Sequence, residues 1–258
     1  MKKKIKCIGL LFMLLSSAVY AQKDNAKPAG KKVSVTLYLV RHGKTIFNTL
    51  ERVQGWSDTP LTQAGVQVVG YLAKGLQDSC FTGVYTSDSG RARETAQIIM
   101  SGNRHAFGVP IYDVPDLREW NFGSYEGESS GATLKIYDAL TREKAGKPYF
   151  ELSLPEMGDY NKQADPKGWA ENWKEIETRI GHALTKIVAE TQAKGGGNVL
   201  VVSHGFTITS VLYMLNKEKV KLGLKNASVT RIVYRDGKYT VTAVNDMSFA
   251  DRGKDISN

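Results

Sequence analysis

Apolar positions along the chain follow two rhythms. Val35, Leu37, Tyr38, Leu39 and Val40 crowd a short run that stops at Arg41. That density predicts a strand buried on both faces, as in a parallel sheet with helices on either side. Asn198 to Ser203 repeats the pattern and stops at His204-Gly205. Gly83 to Ser87 predicts a third strand, and Ile111 to Val114 a short fourth. Between these runs the spacing becomes helical. Thr62 is a good N-cap for a helix from Gln63 to about Leu76, with Val66, Val69, Tyr71, Leu72 and Leu76 on its core face. Ser87 to Ser89 opens a helix to about Met100, with Ala92, Ala96, Ile99 and Met100 inward. A long helix is predicted from about Trp169 to Gln192, with Trp169 and Trp173 packing into the core beside Ile176, Ile180, Ala183 and Ile187. Ile208, Val211, Leu212 and Leu215 mark another. Thr230 to Tyr234 and Tyr239 to Val244 flank Asp236-Gly237, a pair that favours the tight turn of a hairpin.

Strands alternating with helices predict an α/β fold. Its form is a three-layer α/β/α sandwich around a mostly parallel sheet, with an antiparallel hairpin at the C-terminal edge. One domain is expected over residues 35–248. Within it, residues 128–168 are polar and weakly periodic, with Pro148, Pro155 and Pro166 towards the end. They read as an insertion with one or two short helices that covers the site as a lid. Residues 249–258 read as a loose tail.

Residues 1–21 stand apart from this pattern. Lys2, Lys3, Lys4 and Lys6 precede an apolar run from Cys7 to Leu15, and small residues follow as far as Ala21. This order predicts a secretory signal cleaved after Ala21, too short to span a membrane. An uncleaved anchor is the rival. Residues 22–34 read as a flexible lead-in. The mature protein is therefore expected to be periplasmic or secreted, with no membrane span. Cleavage removes four lysines and takes the formal charge from +9 to +5. The remainder suits anionic substrates, and no basic run with interleaved aromatics argues for nucleic acid. Cys80 is the one cysteine left, so no internal disulfide is possible. It reads as a small buried hydrophobe. No Cys/His cluster suggests a metal, and no cofactor is expected.

The candidate chemistry sits at strand ends, where open α/β sheets bind ligands. Arg41 and His42 should face a pocket, and Gly43 should let the backbone turn sharply. A cation beside a nucleophilic imidazole suits an anionic substrate, phosphate above all. Alone, the tripeptide could equally be a strand end whose imidazole bonds backbone. The second strand ending in His204-Gly205 can bring two imidazoles into one site. Arg91 falls in the first turn of its helix, where a cation opposes the helix dipole. That position points to function, whereas Arg93 reads as surface. Glu119 and Glu126 lie among aromatics in Leu117 to Gly127, and burial there raises a carboxyl pKa. His105 and His182 read as surface residues without partners.

These residues together resemble a known family. Leu39-Val40-Arg41-His42-Gly43 with Asn48 is similar to the opening motif of the histidine phosphatase superfamily, in its phosphoglycerate mutase-like branch. Gln54 to Thr62, Thr86 to Ala92 with Thr95-Ala96, Leu117 to Gly127, and Val202 to Gly205 resemble four more of its blocks, in order. The resemblance implies that His42 is the nucleophile and that Arg41, Arg91 and His204 hold the phosphoryl oxygens. Asn48 would add a neutral hydrogen bond, and Gln54 and Gly55 belong to the implied binding set. Glu119 would be the general acid and base, with Glu126 more structural. The implied substrate is a small phosphorylated molecule, handled without metal or cofactor. The stretch His204-Gly205-Phe206-Thr207 is closer to phosphatases than to the His-Gly-Asn-Ser pattern of mutases. Mutase chemistry and a catalytically silent phospho-ligand-binding module stay as alternatives. A metal hydrolase using His42, His204 and Glu119 is a further one, opposed by two arginines beside the ion.

Overall fold

The structure is a computed structural model and describes residues 33–257. The signal and most of the lead-in lie outside the described residues. The first strand, β1 (Val35–Arg41), leads to a single helical turn, α1 (Ile46–Thr49), and to α2 (Gln63–Gly75). Next come β2 (Phe81–Thr86), α3 (Gly90–Ser101) and β3 (Ile111–Asp113). Two helices follow, α4 (Ser130–Ala145) and α5 (Leu154–Ala164), and then α6 (Trp173–Ala193). The chain closes with β4 (Gly197–Ser203), α7 (Gly205–Leu215), β5 (Val229–Arg235), β6 (Lys238–Asp246) and α8 (Ser248–Asp255).

One six-stranded sheet runs in the order β3-β2-β4-β1-β5-β6. The first four are parallel, and β5 and β6 add the antiparallel edge. Alternation along β1 and β4 divides the core. Leu37, Leu39, Val199 and Val201 pack with α6 residues such as Ile176 and Ile180. Val40, Leu200 and Val202 pack with Leu72 of α2, Ile99 of α3 and Ala250 of α8. The expected three layers are the ones found. The hairpin turn uses Asp236 and Gly237 at φ 51° and 77°, the left-handed pair such a turn requires.

Several local expectations need correction. The insertion's first helix is 16 residues long rather than short. Its inward residues Thr133, Tyr137 and Thr141 include two threonines, so the core face does not read as apolar. The long helix begins at Trp173, because Asn172 caps it in a box with Glu175. Trp169 therefore lies outside it and is exposed, while Trp173 packs as expected. The C-terminal segment is the helix α8, not a loose tail. A Cβ at Gly253 would lie 1.8 Å from the Tyr71 carbonyl oxygen, so α8 and α2 touch backbone to backbone. Cys80 is exposed, since it precedes β2 instead of lying within it. His182 is a surface residue but has a partner, with Nδ1 2.6 Å from Asp116 Oδ2.

Candidate active site

Register brings the two histidines together. Arg41 lies opposite Ser203 in the parallel pair of β1 and β4, so His42 and His204 leave adjacent strands side by side. Their ring centroids are 5.2 Å apart. His42 Nδ1 donates to the Gly43 carbonyl at 2.8 Å, which leaves Nε2 with its lone pair. Backbone bonds anchor the turn, with His42 N donating to Ser203 O and Gly43 N to Thr95 Oγ1. Gly43 is needed for a reason other than the expected turn. A Cβ there would lie 2.7 Å from Val69 Cγ2.

Both imidazoles are buried. Burial, and then the positive charges of Arg91 and Arg41, hold the His42 pKa well below the usual imidazole range. Burial and Arg91 act in the same direction on His204. Both rings are therefore neutral near pH 7. Arg41 donates to the Leu224 carbonyl. Arg91 is fully buried, and its terminal nitrogens donate to Gly55 O, Ser57 O and Asp58 Oδ1 at 2.7–2.9 Å. The Nε of each arginine is buried without a hydrogen-bond partner among the described residues, as is His204 Nδ1. Arg93 is a half-exposed surface residue paired with Asp113.

The two carboxylates do different things. Glu119 is buried beside the N-terminus of α7. Its Oε1 accepts from Trp120 N, Thr207 N and Thr207 Oγ1, and its Oε2 from Phe206 N. The carboxylate is thus held by backbone and hydroxyl donors as well as by its aromatic surroundings. Glu126 is enclosed by five donors: Gly55 N, Trp56 N, Ser57 N, Ser57 Oγ and Phe122 N. It organises the loop that holds the Arg91 acceptors. Gly55 thus belongs to the framework, with its N–H given to Glu126 and its carbonyl to Arg91. A Cβ there would lie 2.1 Å from the Trp120 carbonyl oxygen, so only glycine fits.

Asn48 and Gln54 share a network with Thr45 and Thr59. Asn226 joins it by donating to Asn48 Oδ1 and the His42 carbonyl. Its surroundings in the sequence are polar and aperiodic, which gave no cue to this role. Also unforeseen was the pair of Glu171 and Arg179, which braces the backbone around Glu119. A cavity of about 270 Å3 adjoins the site, lined by Arg41, Asn48, Gln54 and Glu119 at one end. Phe122, Leu134, Tyr137, Tyr149, Phe150 and Phe206 supply most of its apolar wall, with Arg52, Ser130 and Thr133 among the polar lining, so the insertion does line it. Among the described residues, no group of three or more His, Cys, Asp or Glu is placed to hold a metal ion.

The chain is similar to several known proteins. A relative in Yersinia pestis (strain Pestoides F), named probable phosphoglycerate mutase GpmB, is 31% identical over 209 residues, 79% of this chain and 86% of its own. The crystal structure of phosphoglycerate mutase from Bacillus anthracis str. Sterne superposes with a TM-score of 0.81 at 45% identity, covering 86% of this chain and 98% of that one. Bacillus stearothermophilus YhfR superposes at 0.67 and 28% identity, covering 84% and 99%. Residues 37–247 match the histidine phosphatase superfamily (branch 1), and the chain is an enzyme of that family.

Proposed function

We propose that the protein is a phosphomonoester hydrolase that works through a phosphohistidine on His42, without a metal. One observation carries the reading. Two imidazoles, their pKa values held below the usual range, lie 5.2 Å apart beside the buried Arg91 and the half-buried Arg41, whose Nε groups have no hydrogen-bond partner among the described residues. A phosphoryl group there would meet a nucleophile and concentrated positive charge at once, which is what phosphoryl transfer needs.

His42 Nε2 attacks phosphorus, and the bond from phosphorus to the ester oxygen breaks. Arg41, Arg91 and His204 hold the phosphoryl oxygens, and Asn48 and Gln54 border them. Glu119 gives a proton to the departing oxygen. Its Oε2, with one N–H donor against three donors on Oε1, has room for that proton. Water then attacks the phosphohistidine while Glu119 takes its proton. The P–N bond breaks, inorganic phosphate leaves, and His42 is neutral again.

The cavity wall favours hydrolysis over a mutase step. A sugar-acid carboxylate would need its own cation there. Among the lining residues Arg52 is the candidate, and it is exposed and donates to the Gly127 carbonyl at 2.6 Å. The names of the relatives above favour the mutase reading. The residue order of positions 1–21 supports export and argues against it, since an exported protein has little use for a glycolytic step. The discriminating experiment mixes the protein with 3-phosphoglycerate, with and without 2,3-bisphosphoglycerate, and follows products by phosphorus NMR. Inorganic phosphate without the isomer is expected. Isomer as the main product would overturn the hydrolase reading. Failure of rapid quench to find phosphate on His42 would overturn the covalent route.

A further inference from the structure

Arg179 lies in the second turn of α6, 12% exposed, and forms a forked ion pair with Glu171, 11% exposed. The rest of its guanidinium is spent on backbone. Nη1 donates to the Asp116 and Arg118 carbonyls, at 3.0 and 2.7 Å, and Nη2 to the Glu119 carbonyl at 2.9 Å. Glu171 takes the other flank, with Oε2 accepting from Asn121 N at 2.9 Å, and its own N–H donates to the Asn121 carbonyl. One buried pair therefore fixes main-chain groups on both sides of Glu119. Ordinary loop stability would not call for such concentration. Carbonyls at three positions within four residues converge on one cation from another element. An arginine's planar fork can meet several acceptors at once, and a lysine's single ammonium cannot.

We propose that Arg179, with Glu171, is the positioning residue that aims Glu119 at the leaving oxygen. The inference rests on the reading of Glu119 as the general acid. Glu119 Oε1 and Oε2 are held by α7 at one end. The carbonyl of the same residue is held by α6 at the other, through Arg179. Glu119 is thus held at its carboxylate by α7 and at its main-chain carbonyl by α6, with Trp56 Nε1 donating to that carbonyl as well at 3.0 Å. A misplacement of about 1 Å can cost on the order of a hundredfold in rate.

The test compares glycerol 2-phosphate, a poor leaving group, with p-nitrophenyl phosphate, which departs without a proton. Arg179→Lys keeps the charge, which also acts on His204, but loses the fork. Its kcat/KM, which reports the steps up to departure of the leaving group and not the later hydrolysis of the phosphohistidine, should fall roughly ten- to a hundredfold on glycerol 2-phosphate and less than about threefold on p-nitrophenyl phosphate. The double variant Arg179→Met/Glu171→Met removes the pair without stranding a charge and should show the same selectivity. Glu119→Gln is the reference. If it lowers kcat/KM equally on both esters, the acid assignment falls. If it is selective while the Arg179 and Glu171 variants slow both esters equally, the positioning role alone is overturned. If neither variant folds, the pair serves the fold and the proposal is likewise overturned.

Discussion

Glu126→Gln separates the two carboxylates of the acid/base loop most sharply. The substitution keeps the size of the side chain but turns one oxygen into an amide nitrogen. Glu126 Oε2 accepts three donors and Oε1 two. Whichever way the amide turns, two or three N–H or O–H groups then face an N–H. Leaving a buried donor unpaired costs about 1–3 kcal/mol. Glu126 is only partly buried, so water recovers some of this, and the expected loss is about 2–4 kcal/mol. For a domain of this size that is a fall in Tm of roughly 4–16 °C, readable by scanning calorimetry. The kinetic signature should be distinct too. The displaced loop carries Gly55 O and Ser57 O, the acceptors that set the Arg91 guanidinium. Phosphate binding should therefore weaken for every ester alike, raising KM for alkyl and p-nitrophenyl phosphates together. An unchanged Tm with a loss confined to alkyl phosphates would refute this, and would make Glu126 the acid in place of Glu119.

Further outcomes are open to direct measurement. Because His42 and His204 have depressed pKa values in the folded protein, the unfolded chain binds more protons below pH about 6.5. Stability should be complete above that pH and fall on acidification, by up to about 1.4 kcal/mol per pH unit per histidine; urea unfolding that is flat from pH 7 to 5 would refute it. Asp165 supplies a second window. Burial would raise its pKa, but hydrogen bonds from Ser124, Ala170 and Lys167 outweigh that and bring it to about 2. Its contribution should be intact above pH about 4 and vanish towards pH 2, and Asp165→Asn should remove that acid limb of the stability curve. Dialysis against EDTA should leave hydrolysis intact, and a loss restored by zinc or magnesium would return the metal reading. Mass spectrometry of the native protein should find an N-terminus near Gln22, and an intact Met1 would sink the export reading.

What the sequence revealed follows from the range of each interaction. Strand ends were legible because His42 and His204 end apolar runs that are dense in Val and Leu. Arg91 was legible because its place at the start of α3 runs against the dipole. The brace of Arg179 on the Glu119 loop was not, because it spans some 60 residues and a polar side chain on a helix reads as solvated surface. Glu126 carried only a hint, since the donors it collects around Gly55 lie about 70 residues away. The helix α4 hid for another reason. Its buried face uses threonine and tyrosine hydroxyl residues, which periodicity scores as polar. Trp169 misled in the opposite direction: it continued the apolar stripe, but Asn172 starts the helix three residues later.

On the proposed reading, the two arginines have one job before substrate arrives and another after. In the free protein their field helps to keep both imidazoles neutral. That gives His42 a lone pair, and avoids two further charges in a buried site, where each would be costly. A phosphate ester brings negative charge to the same arginines and cancels much of that field. The imidazoles then gain affinity for protons. His42 is already committed to attack, with Nδ1–H held by the Gly43 carbonyl. His204 has no such commitment, since its Nδ1 is buried without a partner among the described residues and its Nε2 lies 3.5 Å from Ser89 Oγ. It is the ring able to become a charged donor to the phosphoryl oxygens as charge develops on them. The pair therefore divides by its hydrogen bonds and not by its residue type. The acid limb of kcat/KM should lie below the usual imidazole range, because it reports the free protein. An acid limb at or above pH about 6.5 would mean that the free site does not hold His42 neutral.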